Sequence, residues 1–167
     1  PEMTASVVRS YIQHNLGSHS NLQRLYYVGP SFRRERPQKG RQRQFHQFGV
    51  EAIGSGNPEQ DAEVIALGWE ILLEAGIKNL NLKISSIGSE ECRNRYKNAL
   101  VGFLKPQISK LSNVSQQRLD NNPLRILDTK NKNEIELIKS APKIEEFYTK
   151  DDKSHFKLVQ EYLKALS

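Results

Sequence analysis

Residues 25–56, LYYVGPSFRRERPQKGRQRQFHQFGVEAIGSG, decide the fold of this chain. Residues 25–34 and 44–53 are rich in aromatic and β-branched side chains, a composition that is typical of strands. Residues 36–43 lie between them and contain proline and glycine, which indicate a loop. The stretch therefore predicts a long antiparallel hairpin, in which Pro30 marks an edge strand or a bulge.

The second predicted strand has two different faces, because side chains alternate along a strand with a period of two. One face offers an aromatic ring, an amide, a gap and a carboxylate: Phe45, Gln47, Gly49 and Glu51. The other face is mostly apolar and is predicted to face the core: His46, Phe48, Val50 and Ala52. The first face, on which a glycine would let a ligand approach the backbone, is either a solvated polar surface or a recognition surface.

The predicted loop concentrates positive charge. Only Glu35 opposes six bases within eleven positions: Arg33, Arg34, Arg36, Lys39, Arg41 and Arg43. Five of the six are arginines, whose planar guanidinium groups suit bidentate contacts with phosphate or carboxylate. This density favours a polyanionic partner, such as a phosphate, a nucleotide or a nucleic acid, and the alternative is a solvated loop.

Composition limits the class of protein. The chain has 167 residues, of which 37% are hydrophobic and 26% charged, and this balance excludes full disorder and a membrane-spanning protein. The net charge of +6 is uneven, with +5 over residues 1–56, −3 over 57–88 and +4 over 89–167. The single Cys92 excludes an internal disulfide and a clustered Cys/His zinc site. Because the chain starts at Pro1, we expect an excised internal fragment.

Periodicity predicts helices on both sides of the hairpin. The helices are expected over residues 4–16, 57–76, 89–106, 131–140 and 151–166, with a strand over 79–86 and a polar, turn-rich segment over 112–123. A domain boundary near Gly88 would separate a hairpin-containing region, residues 1–88, from a helical region, residues 89–167. The predicted fold class is α+β.

The hairpin resembles motif 2 of the class II aminoacyl-tRNA synthetases, and specifically the histidyl-tRNA synthetase family. Residues 32–35, FRRE, match the class-wide Phe-Arg-x-Glu, and residues 35–47, ERPQKGRQRQFHQ, are similar to the histidine-specific version. Residues 1–4, PEMT, are similar to a Pro-Glu-x-Thr signature that usually carries glycine where this chain has Met3. Residues 86–89 and 122–128 resemble parts of the insertion domain of that family. The resemblance implies part of the class II antiparallel sheet, with flanking helices and a mainly helical insertion domain.

The resemblance also implies a reaction and roles for individual residues. Histidine and ATP would give histidyl-adenylate, and the histidyl group would then pass to tRNA. The residues implied to bind ATP, with Mg²⁺ bridging the phosphates, are Arg33 at the α-phosphate, Glu35 at the adenine amino group, Phe45 stacked on adenine and Arg41 at the distal phosphates. The residues implied to bind histidine are Glu2, Thr4, Arg33 and Gln47 around its amino and carboxylate groups and Glu51 at its imidazole. Arg33 is implied to be catalytic, and the Mg²⁺ ligands stay unassigned.

The implied partners are L-histidine, the acceptor end of tRNA(His) through the insertion domain, and a second copy in the intact homodimer. The resemblance implies a cytoplasmic enzyme without a membrane. Segments that family members carry before and after the matched region, including a further catalytic arginine, are absent from residues 1–167, so we expect this chain alone to lack histidine-dependent ATP–pyrophosphate exchange. Two alternatives stay open: a histidine-binding regulatory relative of the type found with ATP phosphoribosyltransferase, and a plain nucleic-acid-binding module.

Overall fold

The computed structural model describes residues 2–36 and 38–166. Within these residues the chain forms a two-stranded antiparallel sheet and six α-helices, joined by short 3-10 turns. The elements are α1 (Thr4–Gln13), β1 (Gln23–Phe32), β2 (Gln44–Ile53), α2 (Pro58–Glu74), α3 (Glu90–Leu104), α4 (Asn113–Asn121), α5 (Lys132–Lys139) and α6 (Lys150–Ala165). This content confirms the predicted α+β fold class.

The chain divides into two compact units. The hairpin unit comprises the residues up to Leu80 together with those from Leu158 onward, and the helical unit comprises Asn81–Lys157. The first division lies eight residues before Gly88, and the C-terminal half of α6 belongs with the hairpin unit. The domain boundary at Gly88 therefore stays a prediction.

The hairpin forms as the sequence predicts. β1 and β2 pair continuously from Gln23 opposite Ile53 to Phe32 opposite Gln44. Pro30 lies opposite His46 within this regular register, so the bulge alternative is wrong, and β1 is an edge strand of the sheet that the described residues form. Residues opposite each other in an antiparallel pair lie on the same face of the sheet. Leu25, Tyr27, Gly29 and Ser31 of β1 therefore share the face of Phe45, Gln47, Gly49 and Glu51.

The prediction that the apolar face of the hairpin points into a core is wrong for the described part of the chain. Tyr26 and Val28 are 80% and 72% exposed, Phe48 is 48% exposed, and His46 is exposed as well. The helix α2 lies only beside the end of this face that carries Val50. The opposite, polar face is half-buried because α1 lies against it. Alternation shows which side chains share a face, but it does not show which face a helix covers.

The helix α2 begins and ends at the predicted signals. Pro58 occupies the first turn together with Glu59 and Asp61, and Gly76 follows the helix with a positive φ of 78°. Acidic groups in a first turn interact favourably with the N-terminal end of the helix dipole. The helix is fastened to β1 by Arg24, whose Nε donates to Glu63 Oε1 at 2.8 Å.

The helical unit has its own apolar core. Its buried members are Tyr96, Leu100, Leu104, Leu111, Leu119 and Ile126. The side chain of Ser89 caps α3, because its Oγ accepts a hydrogen bond from the Cys92 N–H at 3.3 Å. Burial raises the pKa of the thiol of Cys92, which lies in the first turn of this helix and is fully buried.

Two sequence predictions around the helical unit are wrong. Residues 79–86 do not form a strand, because no described segment pairs with them, and a strand exists only through its ladder partner. Residues 112–123 were expected to be turn-rich, but they contain α4 and the start of a 3-10 turn. This helix carries few apolar residues, so its periodic signal is weak, and polar contacts hold its N-terminus instead.

Those contacts centre on a buried carboxylate of α5. Glu134 is 0% exposed and accepts hydrogen bonds from the Ser112 backbone N–H at 2.6 Å, from Ser115 Oγ at 2.9 Å and from Thr129 Oγ1. Burial alone would raise the pKa of Glu134, but these hydrogen bonds outweigh it and lower the pKa to about 2. The carboxylate therefore fastens the start of α4 to α5.

Candidate functional site

The loop end of the hairpin forms a pocket of about 350 Å³. The four residues that the resemblance assigns to ATP all line it: Arg33, Glu35, Arg41 and Phe45. Gly40 and Gln42 line it as well. The loop is shaped by a short antiparallel bridge between Gln38 and Arg41, and Gly40 has a positive φ of 78° in the turn that this bridge closes.

Arg33 continues the polar face of β1 beyond the end of the strand. Its backbone N–H donates to the Arg43 carbonyl at 2.8 Å, so the pairing of the hairpin extends to this residue. Its guanidinium carbon lies 4.8 Å from the centre of the Phe45 ring, which is a cation–π contact. The contact holds a permanent positive charge beside an aromatic face at the wall of the pocket.

Glu35 and Arg41 pair with each other across the pocket. Arg41 Nη1 lies 3.3 Å from Glu35 Oε2. The Glu35 side chain is 38% exposed and the Arg41 side chain is 61% exposed. Exposed ion pairs of this kind contribute about 0–1 kcal/mol. A ligand phosphate that offers Arg41 a stronger, charge-assisted contact can therefore separate the pair at little cost.

The opposite end of the same face joins Thr4 to Glu51. Thr4 Oγ1 donates to Glu51 Oε1 at 2.7 Å, and both residues are half-buried. Because the hydroxyl proton points to the carboxylate, the lone pairs of Thr4 Oγ1 remain as acceptors. No other hydrogen bond to the Glu51 carboxylate comes from the described residues, so its second oxygen can accept from a ligand.

Gln47 lies between these two ends and contacts a residue that strand periodicity did not single out. Gln47 Nε2 donates to the Tyr27 hydroxyl oxygen at 3.2 Å. Tyr27 lies directly opposite Gly49, and a Cβ added to Gly49 would lie 2.3 Å from the Tyr27 ring. The tyrosine therefore crosses the space above the glycine to reach the amide. The contact between Tyr27 and Gln47 depends on the register of the hairpin, which the sequence analysis did not predict.

The remaining predicted residues stand apart from these contacts. Glu2 is exposed just before α1 and makes no hydrogen bond or ion pair within the described residues. Pro1, which opens the PEMT signature, lies outside the described residues, as does Pro37 of the loop. Met3, the departure from that signature, lies over the hairpin, since its Cε would be 3.2 Å from a Cβ at Gly29.

The described residues show neither a clustered metal site nor a membrane-spanning segment. No group of three or more His, Cys, Asp or Glu side chains within residues 2–36 and 38–166 is placed to hold a metal ion. Among the helices of that part of the chain, none has the length and apolar character needed to cross a membrane.

The arrangement places two kinds of chemistry along one sheet face. The pocket at the loop end carries guanidinium groups and an aromatic ring, which suit phosphates and a base. The other end carries a carboxylate, a hydroxyl and an amide, which suit a small polar molecule with donors. At about 3.4 Å per residue, Phe45 and Glu51 lie about 20 Å apart along β2, which leaves room for two ligands end to end.

Comparisons with known proteins show which family the chain belongs to. A family model described as histidyl-tRNA synthetase matches residues 1–89. A histidine–tRNA ligase of Synechocystis sp. is 51% identical over 166 residues, which are 99% of this chain and 37% of the relative. A histidine–tRNA ligase of Chloroherpeton thalassium is 51% identical over 164 residues, or 98% of this chain and 38% of the relative.

A solved structure gives the same result. The crystal structure of apo histidyl-tRNA synthetase from S. aureus is similar with a TM-score of 0.77 and 41% sequence identity, and the match covers 99% of this chain and 38% of that one. The chain thus spans about 40% of the length of the curated relatives that it matches. The family match over more than half of the residues, together with these relatives, shows that the chain belongs to the histidyl-tRNA synthetase family.

Proposed function

We propose that this chain carries the ATP-binding hairpin and part of the histidine pocket of a histidine–tRNA ligase. The observation that supports this most directly is the common face of the hairpin: the arginine-lined pocket and the polar residues Gln47 and Glu51 lie along one side of β2. A nucleotide bound at the loop end would thus be continuous with an amino acid bound at the other end.

Arg33 would carry the chemical step of activation. When the histidine carboxylate attacks the α-phosphate, negative charge builds on the phosphorus oxygens, and a fixed guanidinium beside them lowers the barrier. The cation–π contact with Phe45 holds that guanidinium at the wall of the pocket. Adenine would stack on the opposite face of the Phe45 ring.

Glu35 and Arg41 would exchange partners when ATP binds. In the structure they neutralise each other at 3.3 Å. Arg41 would turn to the distal phosphates, and Glu35 would then accept a hydrogen bond from the adenine amino group. The ATP phosphates would supply most of the ligands of a magnesium ion, because Glu35 is the only carboxylate among the described residues that line the pocket.

Thr4, Gln47 and Glu51 would hold the histidine. Glu51 has one oxygen committed to Thr4 and can accept the imidazole N–H with the other. Buried hydrogen-bonding groups discriminate strongly, because a side chain without the matching donor leaves them unpaired. Arg33 and Glu2 would complete the contacts to the carboxylate and amino groups.

The helical unit would contact the acceptor end of tRNA(His), as expected for an insertion domain. The predicted insertion domain, residues 89–167, has a net charge of +4, which is compatible with that role. The homodimer and the cytoplasmic location stay predictions from the family resemblance. No observation favours the regulatory relative. A plain nucleic-acid-binding module does not explain why Gln47 and Glu51 lie on one face of the hairpin.

The test is histidine-dependent ATP–pyrophosphate exchange by the product of the complete reading frame that contains residues 1–167. Arg33→Gln should lower the exchange rate roughly 100- to 1,000-fold, because it removes a fixed charge at the reacting phosphate. Arg9→Gln is the matched control, because Arg9 is exposed on α1, away from the pocket, and should leave the rate within about twofold.

Histidine-dependent exchange by the wild-type protein is the first test of the proposal. If it shows no exchange with histidine, the function is wrong. If it shows exchange that survives Arg33→Gln, the protein is a ligase, but the role of the pocket is wrong.

A further inference from the structure

We propose that Tyr27 is a positioning residue for histidine: its hydroxyl fixes the Gln47 amide so that the amide oxygen faces the α-ammonium group of the substrate. This inference rests on the proposed function and adds a residue to which no role has been assigned above. Three observations support it: the hydrogen bond from Gln47 to Tyr27, the hydrogen bond from Thr4 to Glu51, and the space above Gly49.

The first observation is the direction of the bond to Tyr27. Gln47 donates through Nε2 to the tyrosine oxygen at 3.2 Å. A primary amide has one donor end and one acceptor end. Because Tyr27 engages the donor end, the carbonyl oxygen Oε1 is the end that Gln47 presents to a ligand.

The second observation is the bond between Thr4 and Glu51. The Thr4 hydroxyl donates its single proton to the Glu51 carboxylate at 2.7 Å, so it can only accept from a further partner. The Gln47 amide and the Thr4 hydroxyl can each act as a donor or an acceptor, but both already donate within the protein. Each therefore presents an acceptor oxygen on this face of the hairpin. An ammonium group has donors and no acceptor, so it is the ligand group that this arrangement suits.

The third observation explains why Tyr27 can reach Gln47. Tyr27 lies opposite Gly49, and Gln47 lies opposite Gly29, so the tyrosine and the glutamine are diagonal neighbours across the two strands. A Cβ at Gly49 would lie 2.3 Å from the hydroxyl oxygen of Tyr27. The glycine therefore provides the clearance that brings the hydroxyl to the amide.

The experiment uses two competitive inhibitors of exchange in the product of the complete reading frame. Histidinol has the amino group of histidine, and imidazolepropionate lacks it. Tyr27→Phe removes the hydroxyl and keeps the ring over Gly49. It should raise the KM for histidine and the Ki for histidinol roughly 5- to 10-fold, as expected for one lost hydrogen bond, and leave the Ki for imidazolepropionate unchanged.

Two further variants separate positioning from folding. Tyr26→Phe is the matched control, because Tyr26 lies next in sequence but on the opposite, exposed face, and it should leave all three constants unchanged. In a Gln47→Ala background, Tyr27→Phe should have no further effect, because its target is gone.

The inference is overturned if Tyr27→Phe leaves histidinol binding intact, if it weakens both inhibitors equally, or if its effect persists in the Gln47→Ala background. Absence of histidine-dependent exchange by the wild-type protein would overturn the proposed function itself. The two failures are therefore distinguishable.

Discussion

Glu134 of the helical unit is fully buried and Glu51 of the hairpin unit is half-buried, and the hydrogen bonds that the two carboxylates accept also differ. Glu134 accepts three hydrogen bonds from its own unit, whereas Glu51 accepts one. A buried carboxylate whose oxygens accept several hydrogen bonds from the protein has a structural role. One that keeps an oxygen without a described donor can serve a ligand, which is the role proposed for Glu51.

The apolar side chains of the two units show the same difference. In the helical unit Leu100, Leu104 and Ile126 are completely buried. In the hairpin unit Tyr26 and Val28 are mostly exposed, although their strand is regular. The helical unit thus has a core of its own, and much of the apolar face of the hairpin is uncovered in the described chain. Three predictions test this comparison.

The largest effect is expected for Leu100→Ala. It removes a fully buried side chain from the core of the helical unit, and substitutions of this kind cost about 2–5 kcal/mol. Urea unfolding of the 167-residue chain can be followed by circular dichroism for the helices and by fluorescence of Trp69, the only tryptophan, which lies in the hairpin unit. The circular dichroism transition should move to lower urea by more than the fluorescence transition. Equal shifts would show that the units unfold together and that the cores are not separate.

A smaller effect, with a defined pH dependence, is expected for Glu134→Gln. Hydrogen bonds hold the pKa of Glu134 at about 2, below its ordinary value of 4.5. A depressed pKa stabilises the fold above the ordinary value, and that contribution, on the order of 3 kcal/mol, is lost as the pH falls from about 4.5 to about 2. The variant should therefore be less stable than the wild type at neutral pH, with the difference shrinking across this window.

Glu136→Gln is the control for this prediction. Glu136 lies on the same helix, α5, and pairs with Lys139 at 2.6 Å, but its side chain is 70% exposed. Its loss should change the free energy of unfolding by about 0.5 kcal/mol or less. If Glu134→Gln and Glu136→Gln have equal effects at neutral pH, the buried carboxylate does not fasten α4 to α5.

Prediction from sequence succeeded where a local signal was complete. The hairpin has two alternating strands and a proline- and glycine-containing loop, and α2 has both a start and a stop signal, so their bounds were found to within a few residues. It failed for α4, whose N-terminus depends on Glu134, a residue 21 positions beyond its first residue. It also failed for residues 79–86, because alternation without a pairing partner does not make a strand.

The candidate site shows the same limit. The loop-end residues Arg33, Glu35, Arg41 and Phe45 could be grouped from sequence, since they lie within one continuous motif, and the structure brings them to one pocket. The contact between Tyr27 and Gln47 could not be predicted in this way. It depends on which residues of β1 and β2 face each other, and the register became known only with the structure.

The smallest effect is expected for Phe48→Ala, and this variant tests whether the apolar face is open. Phe48 is 48% exposed in the described chain, so its truncation should cost about 1 kcal/mol or less, whereas truncation of a fully buried phenylalanine costs about 3–5 kcal/mol. Trp69 fluorescence during urea unfolding of the 167-residue chain measures the difference directly. A cost near the larger value would mean that this face is covered in solution. If that cost also grows with protein concentration, a second copy provides the cover, because only association makes stability depend on concentration.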